Sequence, residues 1–252
     1  MAMSEPTSSH ASRQWPAEGV TRVPYWVYCD PELYALEQER IFRGPSWSFL
    51  CLEAEVEKAN SWRTSSLGEM PVVVTRDNEG RVHAFENRCA HRGALLCLTE
   101  RGEDRRITCV YHNWVYDLEG NLQGVAFRRG LGGPNREQGG GMPEDCKPES
   151  QAPRKLRVEL LNGLVFGTLS QQASPLADYL GPEITARIQR VMRAPVTVLG
   201  SYHQIIPSNW KLYVENVKDT YHASLLHSFF TTFRLNRLSQ KGGLIINGSG
   251  GG

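Results

Sequence analysis

The chain lacks several features that would fix its role at once. No apolar run approaches the ~20 residues that a membrane-spanning helix requires. The opening stretch, MAMSEPTSSHASRQWPAEGV, holds no apolar segment of the signal-peptide kind, so a cytoplasmic location is expected. Neither charge sign is in excess. Lys+Arg is 28 and Asp+Glu is 27, a net charge of +1, which gives no electrostatic reason to expect nucleic acid or an anionic membrane as partner. No G-x-G-x-x-G sits between a strand and a helix, so nothing marks a nicotinamide site. Six cysteines in 252 residues are too few for a disulfide scaffold. Metal ligation is then the first question to ask of them. What remains is an ordinary folded composition, 40% hydrophobic and 22% charged, of a length that suits one or two domains at ~150 residues each.

Along the chain, residues 1–20 are polar and expected to be poorly ordered. Asp30 is placed to cap a helix through ELYALEQERIF, with Leu33, Leu36 and Ile41 as its apolar residues. From Trp47 to about Leu169 the pattern becomes that of short antiparallel strands. The runs PVVVTRD, VHAFEN, ITCVYHNWVYD, RKLRVELL and LVFGTL are rich in β-branched and aromatic residues. Turn signals at Asn78-Glu79-Gly80, Leu118-Glu119-Gly120-Asn121 and Asn162-Gly163 separate them. Arg128 to Pro153 is rich in Gly and Pro and reads as a long surface loop. Beyond Ser174, PLADYLGPEITARIQRVM predicts a helix, VTVLGSYHQII a strand and WKLYVENVKDTYHASLLHSFF a long helix.

Two groups of residues carry chemistry. The first is Cys89-Ala90-His91, followed after 17 residues by Cys109-Val110-Tyr111-His112. Two readings compete: a Cys2His2 zinc site on one ion, or a Rieske-type [2Fe–2S] cluster with two cysteines on one iron and two histidines on the other. Each short motif contributes one Cys and one His, which suits the cluster better than the like-with-like pairs usual for zinc. Tyr111, Trp114 and Tyr116 are expected to shield such a centre, and Arg92-Gly93 to offer N–H donors to the cluster sulfurs. Cys29, Cys51, Cys97 and Cys146 take no assigned role.

The second group is Asp219-x-x-His222-x-x-x-x-His227. Two histidines and a carboxylate are the raw material of a non-haem iron(II) site. On a regular helix Asp219 and His222 share a face, but His222 and His227 diverge by roughly 140°. Binding one ion therefore requires the helix to kink, widen or end between the two histidines.

These two motifs in this order resemble the large (α) subunit of Rieske non-haem iron aromatic-ring-hydroxylating oxygenases. The resemblance runs from about Val23 through Trp47-Ser48-Phe49-Leu50, Pro71 to Asp77, Asn87-Arg88-Cys89-Ala90-His91-Arg92-Gly93 and Cys109 to Trp114, then Asn209-Trp210-Lys211, Glu215-Asn216, Asp219, Tyr221-His222 and His227. Within that family the chain looks most similar to salicylate 5-hydroxylases, with anthranilate dioxygenases close behind. The resemblance implies an α+β chain in three parts. Residues 1–45 would be an arm and helix packing with the catalytic domain, 46–170 an all-β Rieske [2Fe–2S] domain, and 171–252 the start of an α+β catalytic domain with helices on an antiparallel sheet.

The same resemblance implies the roles of the residues. Cys89 and Cys109 would hold one cluster iron, and His91 and His112 the other. His222 and His227 would bind the mononuclear Fe(II). Asp219 would be an electron-transfer bridge, accepting hydrogen bonds from His222 and from His112 of a neighbouring subunit. The family's third iron ligand is a carboxylate far downstream, and residues 228–252 contain no Asp or Glu, so these 252 residues look like an N-terminal portion. Electrons would come from NADH through a reductase and a ferredoxin. A small (β) subunit would complete an α3β3 assembly, with an aromatic acid and O2 as substrates. Conversion of salicylate to gentisate is the expected reaction. The alternatives are an anthranilate or other aromatic-acid dioxygenase, a Rieske electron carrier without oxygenase activity, or a zinc-stabilised interaction module. Arg128, Arg129 and Arg136 form a local basic stretch that could face an acidic ferredoxin, or simply a solvated loop.

Overall fold

The computed structural model describes residues 13–132, 138–143, 150–219, 222 and 226–233. The described residues divide into two compact units, one drawn from those up to residue 36 and from residue 202 on, the other from residues 37–201.

The larger unit is built on a seven-stranded antiparallel sheet. Its strands are β1 (Ser48–Leu52), β2 (Ser61–Leu67), β3 (Met70–Arg76), β4 (Val82–Glu86) and β5 (Arg101–Glu103), then β11 (Lys155–Leu161) and β12 (Leu164–Thr168). They lie in the order β1-β12-β11-β4-β3-β2-β5. A second sheet of three short strands, β6 (Ile107–Thr108), β7 (Val115–Tyr116) and β8 (Leu122–Gly124), is inserted between β5 and β11. The all-β expectation for this stretch holds. Within the Gly/Pro-rich stretch from Arg128, the described residues include one small pair, β9 (Leu131–Gly132) and β10 (Gln138–Gly139).

Alternation along the central strands explains why the sheet is buried on both sides. Val72, Val74 and Ala84 face one apolar cluster with Leu50, Val56, Leu67 and Val165. Val73 and Phe85 face the other, with Ile107, Trp114, Tyr116, Leu118 and Leu122 of the small sheet. The three consecutive valines are fully buried, which is the continuous apolar run expected of a strand covered on both faces. Each such side chain contributes about 1.5–3 kcal/mol of burial free energy. The small sheet docks closely. Gly120 has φ +80°, and a Cβ there would sit 2.9 Å from the Phe85 ring, so this turn admits only glycine without displacement. The Thr75 hydroxyl donates to the Leu118 carbonyl across the same junction.

Two turns of like design meet there. Asp77 Oδ1 accepts from the N–H groups of Glu79 and Arg81 at 2.8 and 2.9 Å, and Asp117 Oδ1 from those of Glu119 and Asn121 at 3.0 and 2.8 Å. Arg81 joins them, with Nε 3.0 Å from Asp77 Oδ2 and Nη2 3.1 Å from Glu119 Oε1. Burial pushes the Asp77 carboxyl up, but contacts from His83, Arg81 and the two backbone N–H groups outweigh it and hold it well below the usual carboxylate range. A carboxyl depressed in the folded state stabilises above its unfolded value of about 3.9, and that stabilisation is lost as pH falls below it. Asp77→Asn is therefore expected to lower the melting temperature at neutral pH and to flatten its decline between about pH 4 and pH 2. Melting curves across that range check it.

Elsewhere the helices follow the sequence only in part. Asp30 Oδ1 caps α2 (Pro31–Glu37) by accepting from Glu32 and Leu33. The helix then widens into a π turn at Gln38–Phe42. Ahead of α2 lies α1 (Trp26–Cys29). Of the polar segment 1–20, residues 1–12 lie outside the described residues, whereas Arg13 is paired with Asp30 and Glu32 at 2.6 Å each. α3 (Leu176–Val191) breaks at Gly181, φ +70°. The strand expected over 196–206 does not form. Leu199 and Ile205 are almost fully exposed, and no strand among the described residues pairs with this segment. An alternating pattern without a ladder partner leaves its backbone groups in water. The long helix expected from Trp210 is also shorter: α4 (Trp210–Lys218), capped by the Asn209 side chain, ends at Asp219, and α5 (Ser228–Thr232) follows. Among the described residues no helix is long and apolar enough to cross a membrane.

Candidate metal centres

The first motif pair folds into two loops of the same plan. In the first, the Cys89 N–H donates to the Ala94 carbonyl and the Gly93 N–H to the Cys89 carbonyl, both at 2.8 Å. In the second, the Cys109 N–H donates to Trp114 at 2.8 Å and the Asn113 N–H to Cys109 at 3.0 Å. Each loop closes through a left-handed residue, Gly93 at φ +73° and Asn113 at φ +53°, positions that glycine and asparagine tolerate best. Asn113 is why ITCVYHNWVYD is two short strands around a loop rather than one strand. The Gly93 N–H is spent on the Cys89 carbonyl, not offered to a sulfur as expected.

The loops bring all four side chains together. Cys89 and Cys109 are 3% and 1% exposed. The rings of His91 and His112 lie 4.6 Å apart at 68°. Trp114 stacks on His91 at 4.8 Å and 8°, and the Tyr111 ring lies 3.8 Å from His112. Trp114 and Tyr116 are buried, but Tyr111 is exposed, so it covers one imidazole face without sealing the site. The Tyr116 hydroxyl accepts from the Ala90 N–H at 3.1 Å and lies 3.2 Å from Cys89 Sγ, which leaves its proton for the sulfur. Burial, with Cys89 beside it, drives the Tyr116 hydroxyl far up, so it stays protonated. Burial lowers His91, and His112 and Arg92 add to this, which favours the neutral imidazole.

Two polar atoms here have no protein partner. The Nδ1 atoms of His91 and His112 are buried and accept or donate no hydrogen bond. A buried polar atom left so costs about 1–3 kcal/mol unless something occupies it. Two such nitrogens converging with two buried thiols are the donor set of a [2Fe–2S] cluster with mixed ligation, and the residues fit that group. Cys97 lies in the same core, 5% exposed, and burial alone pushes its thiol up to about 12. Cys51 is likewise pushed up to about 12, chiefly by burial. Cys29 is exposed. Cys146 and Arg136 lie outside the described residues.

The second motif lies in the other compact unit. α4 has ended before His222, and His227 is outside any helix, so no straight helix runs through both. The imidazole rings lie 5.3 Å apart at 54°. Asp219 Oδ2 is 3.0 Å from His222 Nδ1. That contact fixes the ring and leaves Nε2 as the nitrogen for a metal. The two histidines suit a mononuclear iron.

One further grouping was not anticipated. Asp77, His83 and Glu119 bring three ligand atoms within 4.8 Å of one another. The Arg81 guanidinium already pairs with both carboxylates, so this is a structural ion-pair cluster. Its signal in the sequence is the repeated D-x-E-G turn.

Comparison with known proteins agrees with this geometry. Residues 46–131 match the model of the Rieske [2Fe-2S] domain. The chain is 53% identical to the terminal oxygenase alpha 2 subunit of terephthalate 1,2-dioxygenase from Comamonas sp, over 94% of this chain and 56% of that protein. It is 49% identical to the anthranilate 1,2-dioxygenase large subunit of Burkholderia cepacia, over 90% and 52%. Identity with the salicylate 5-hydroxylase large component of Ralstonia sp is 41%, over 90% and 54%. The expected placement nearest the salicylate hydroxylases is thus corrected, since two dioxygenase subunits share more residues with the chain. Among solved structures, naphthalene 1,2-dioxygenase with bound indole superposes with a TM-score of 0.70 at 30% identity, over 81% of this chain and 44% of that one. The chain spans about half the length of the curated relatives it matches. The chain thus carries a Rieske [2Fe-2S] domain with paired Cys–His loops, and along most of its length it is similar to the large (alpha) subunits of Rieske oxygenases.

Proposed function

We propose that the chain is part of an oxygenase component that hydroxylates an aromatic carboxylic acid using O2. The observation that carries this reading is the coexistence, in one chain, of the Cys89/His91/Cys109/His112 donor set with the Asp219/His222/His227 group. An electron carrier needs only the first. In this reading Cys89 and Cys109 hold one cluster iron and His91 and His112 the other. His222 and His227 hold the mononuclear iron, whose third ligand is not among these residues. Residues 46–170 form the Rieske domain, and 171–252 begin the catalytic domain. When bound, the cluster supplies one-electron storage and the iron supplies a site for activating O2. The chain's own part is positional. Trp114 and Tyr116 keep water from the thiolate side, Trp114 holds the plane of His91, and Asp219 holds His222 with its proton on Nδ1.

The substrate class follows from chemistry shared by the relatives' names: terephthalate, anthranilate and salicylate are all aromatic carboxylates. The identities favour a dioxygenase acting on terephthalate or anthranilate over salicylate 5-hydroxylation. Electrons come from NADH through a reductase and a ferredoxin, and a small subunit completes an α3β3 assembly. The test is product analysis. The holoenzyme, reductase, ferredoxin, NADH and O2 are offered terephthalate, anthranilate and salicylate in parallel. A dihydroxylated product from terephthalate, or catechol from anthranilate, supports the dioxygenase reading. Gentisate as the dominant product moves the protein to the hydroxylase branch. Reduction of the protein without O2-dependent loss of any aromatic acid would sink the oxygenase reading in favour of an electron carrier.

A further inference from the structure

The two ligand loops are anchored unequally. The second is carried on a hairpin, because β6 and β7 pair directly through Ile107↔Tyr116 and Thr108↔Val115. The first has no hairpin beneath it. It leaves the end of β4, whose two edges are already taken by β3 and β11, and returns through residues 95–98, which belong to no strand.

Asn87 fills the place of the missing strand. It is 3% exposed. Its Nδ2 donates to the Cys97 carbonyl at 2.9 Å, and its Oδ1 accepts from the Cys97 N–H at 2.8 Å. That reciprocal pair is what a neighbouring strand residue would make with its backbone. The Asn87 N–H donates to the Pro71 carbonyl at 2.8 Å, so the clasp is itself fixed to the start of β3. Leu96 and Cys97 are buried in the core that contains Cys89, Cys109 and Trp114. Both ends of the loop that carries Cys89 and His91 are therefore pinned by one amide, and its middle by the Tyr116 hydroxyl on Ala90.

We propose that Asn87 is a positioning residue for the cluster: its side-chain amide closes the first ligand loop and sets Cys89 and His91 against Cys109 and His112. The proposal rests on the ligand assignment above. Only a planar group with one donor and one acceptor at this reach can serve. Aspartate keeps the acceptor and loses the donor. Leucine loses both and leaves the Cys97 N–H and C=O buried without partners. Glutamine is one methylene too long for a buried slot.

The test compares Asn87→Leu and Asn87→Asp with wild type in the cluster-loaded holoprotein. Val74→Ala serves as a destabilised control, since Val74 is fully buried in the core on the other face of the sheet. Three quantities are read: labile sulfide per chain, the rate of iron release to a chelator, and the g values of the reduced protein. Both Asn87 variants are expected to release iron roughly 10- to 100-fold faster, with shifted g values in the cluster that remains. Val74→Ala, at a similar loss of melting temperature, keeps the wild-type rate and g values. If Asn87→Leu does not fold, Asn87→Asp carries the comparison. Wild-type release and g values in the Asn87 variants, or equal acceleration in Val74→Ala, would overturn the proposal. A wild-type protein without labile sulfide would instead overturn the ligand assignment, and the clasp with it.

Discussion

Replacing Cys109 with serine is expected to remove the [2Fe–2S] cluster and leave the fold standing. Cys109 is 1% exposed, and its carbonyl and N–H close the second loop through Asn113 and Trp114. Those backbone bonds do not involve the sulfur. Serine keeps the volume nearly unchanged but exchanges a soft thiolate for a hard hydroxyl that binds iron poorly in such a cluster. The cost to folding is that of a buried hydroxyl, about 1–3 kcal/mol, which a domain with two apolar clusters tolerates. The internal control is Cys97→Ser, in the same core and 5% exposed. It suffers the same exchange without touching a ligand. Labile sulfide and visible absorbance should fall to background in Cys109→Ser and persist in Cys97→Ser. Retention in the first, or loss in both, would remove Cys109 from the ligand set.

The second large effect is expected at Asp219. Its carboxylate lies 3.0 Å from His222 Nδ1. In Asp219→Asn the amide oxygen still accepts that hydrogen bond, so His222 keeps its orientation. The negative charge is gone, and with it the raised basicity of the imidazole and the charged bridge to His112 of a neighbouring subunit that the family resemblance implies. Both metals should stay bound and chemical reduction of the protein should proceed normally. Turnover should fall by roughly 10- to 100-fold or more. The discriminating readout is the reoxidation of pre-reduced protein on adding substrate and O2, which should slow in step with turnover. Loss of the mononuclear iron would instead mark Asp219 as a structural support at the end of α4. Normal turnover would remove it from the electron path.

Much of the fold could be read from local pattern, and the failures have identifiable causes. β3, β4, β11 and β12 were legible because their β-branched runs are buried on one or both faces. β2, Ser61–Leu67, was not, since SWRTSSL is mostly polar. It is a strand because β3 offers a six-residue register, and because Arg63 and Leu67 are its buried residues. The reverse error occurred at 196–206, where apolar residues suggested a strand that has no neighbour to pair with. At the first centre, spacing alone singled out the four side chains that the fold brings together, because a turn can aim a Cys and a His two or three residues apart at one point. It could not find the supports. Asn87 acts on Cys97, ten residues away, and Tyr116 on Cys89, twenty-seven away. Such partners are set by the packing of loops on the sheet, and no short-range pattern encodes them. Tyr116 is more than the shield its aromatic ring suggests, since its hydroxyl is also a hydrogen-bond partner of the Cys89 sulfur. At the second centre the five-residue spacing of His222 and His227 required a broken helix. α4 ends at Lys218, ahead of both histidines, and His227 itself lies outside any helix.

The most direct test of the mixed-ligand cluster is electron–nuclear double resonance on the dithionite-reduced holoprotein, prepared with isotopically labelled histidine. Two histidine nitrogen couplings to the unpaired electron are predicted, and one should vanish in His91→Cys or His112→Cys while a cluster signal remains. A cluster signal with no histidine nitrogen coupling, or a colourless zinc-bound protein with no signal at all, would contradict the assignment of Cys89, His91, Cys109 and His112.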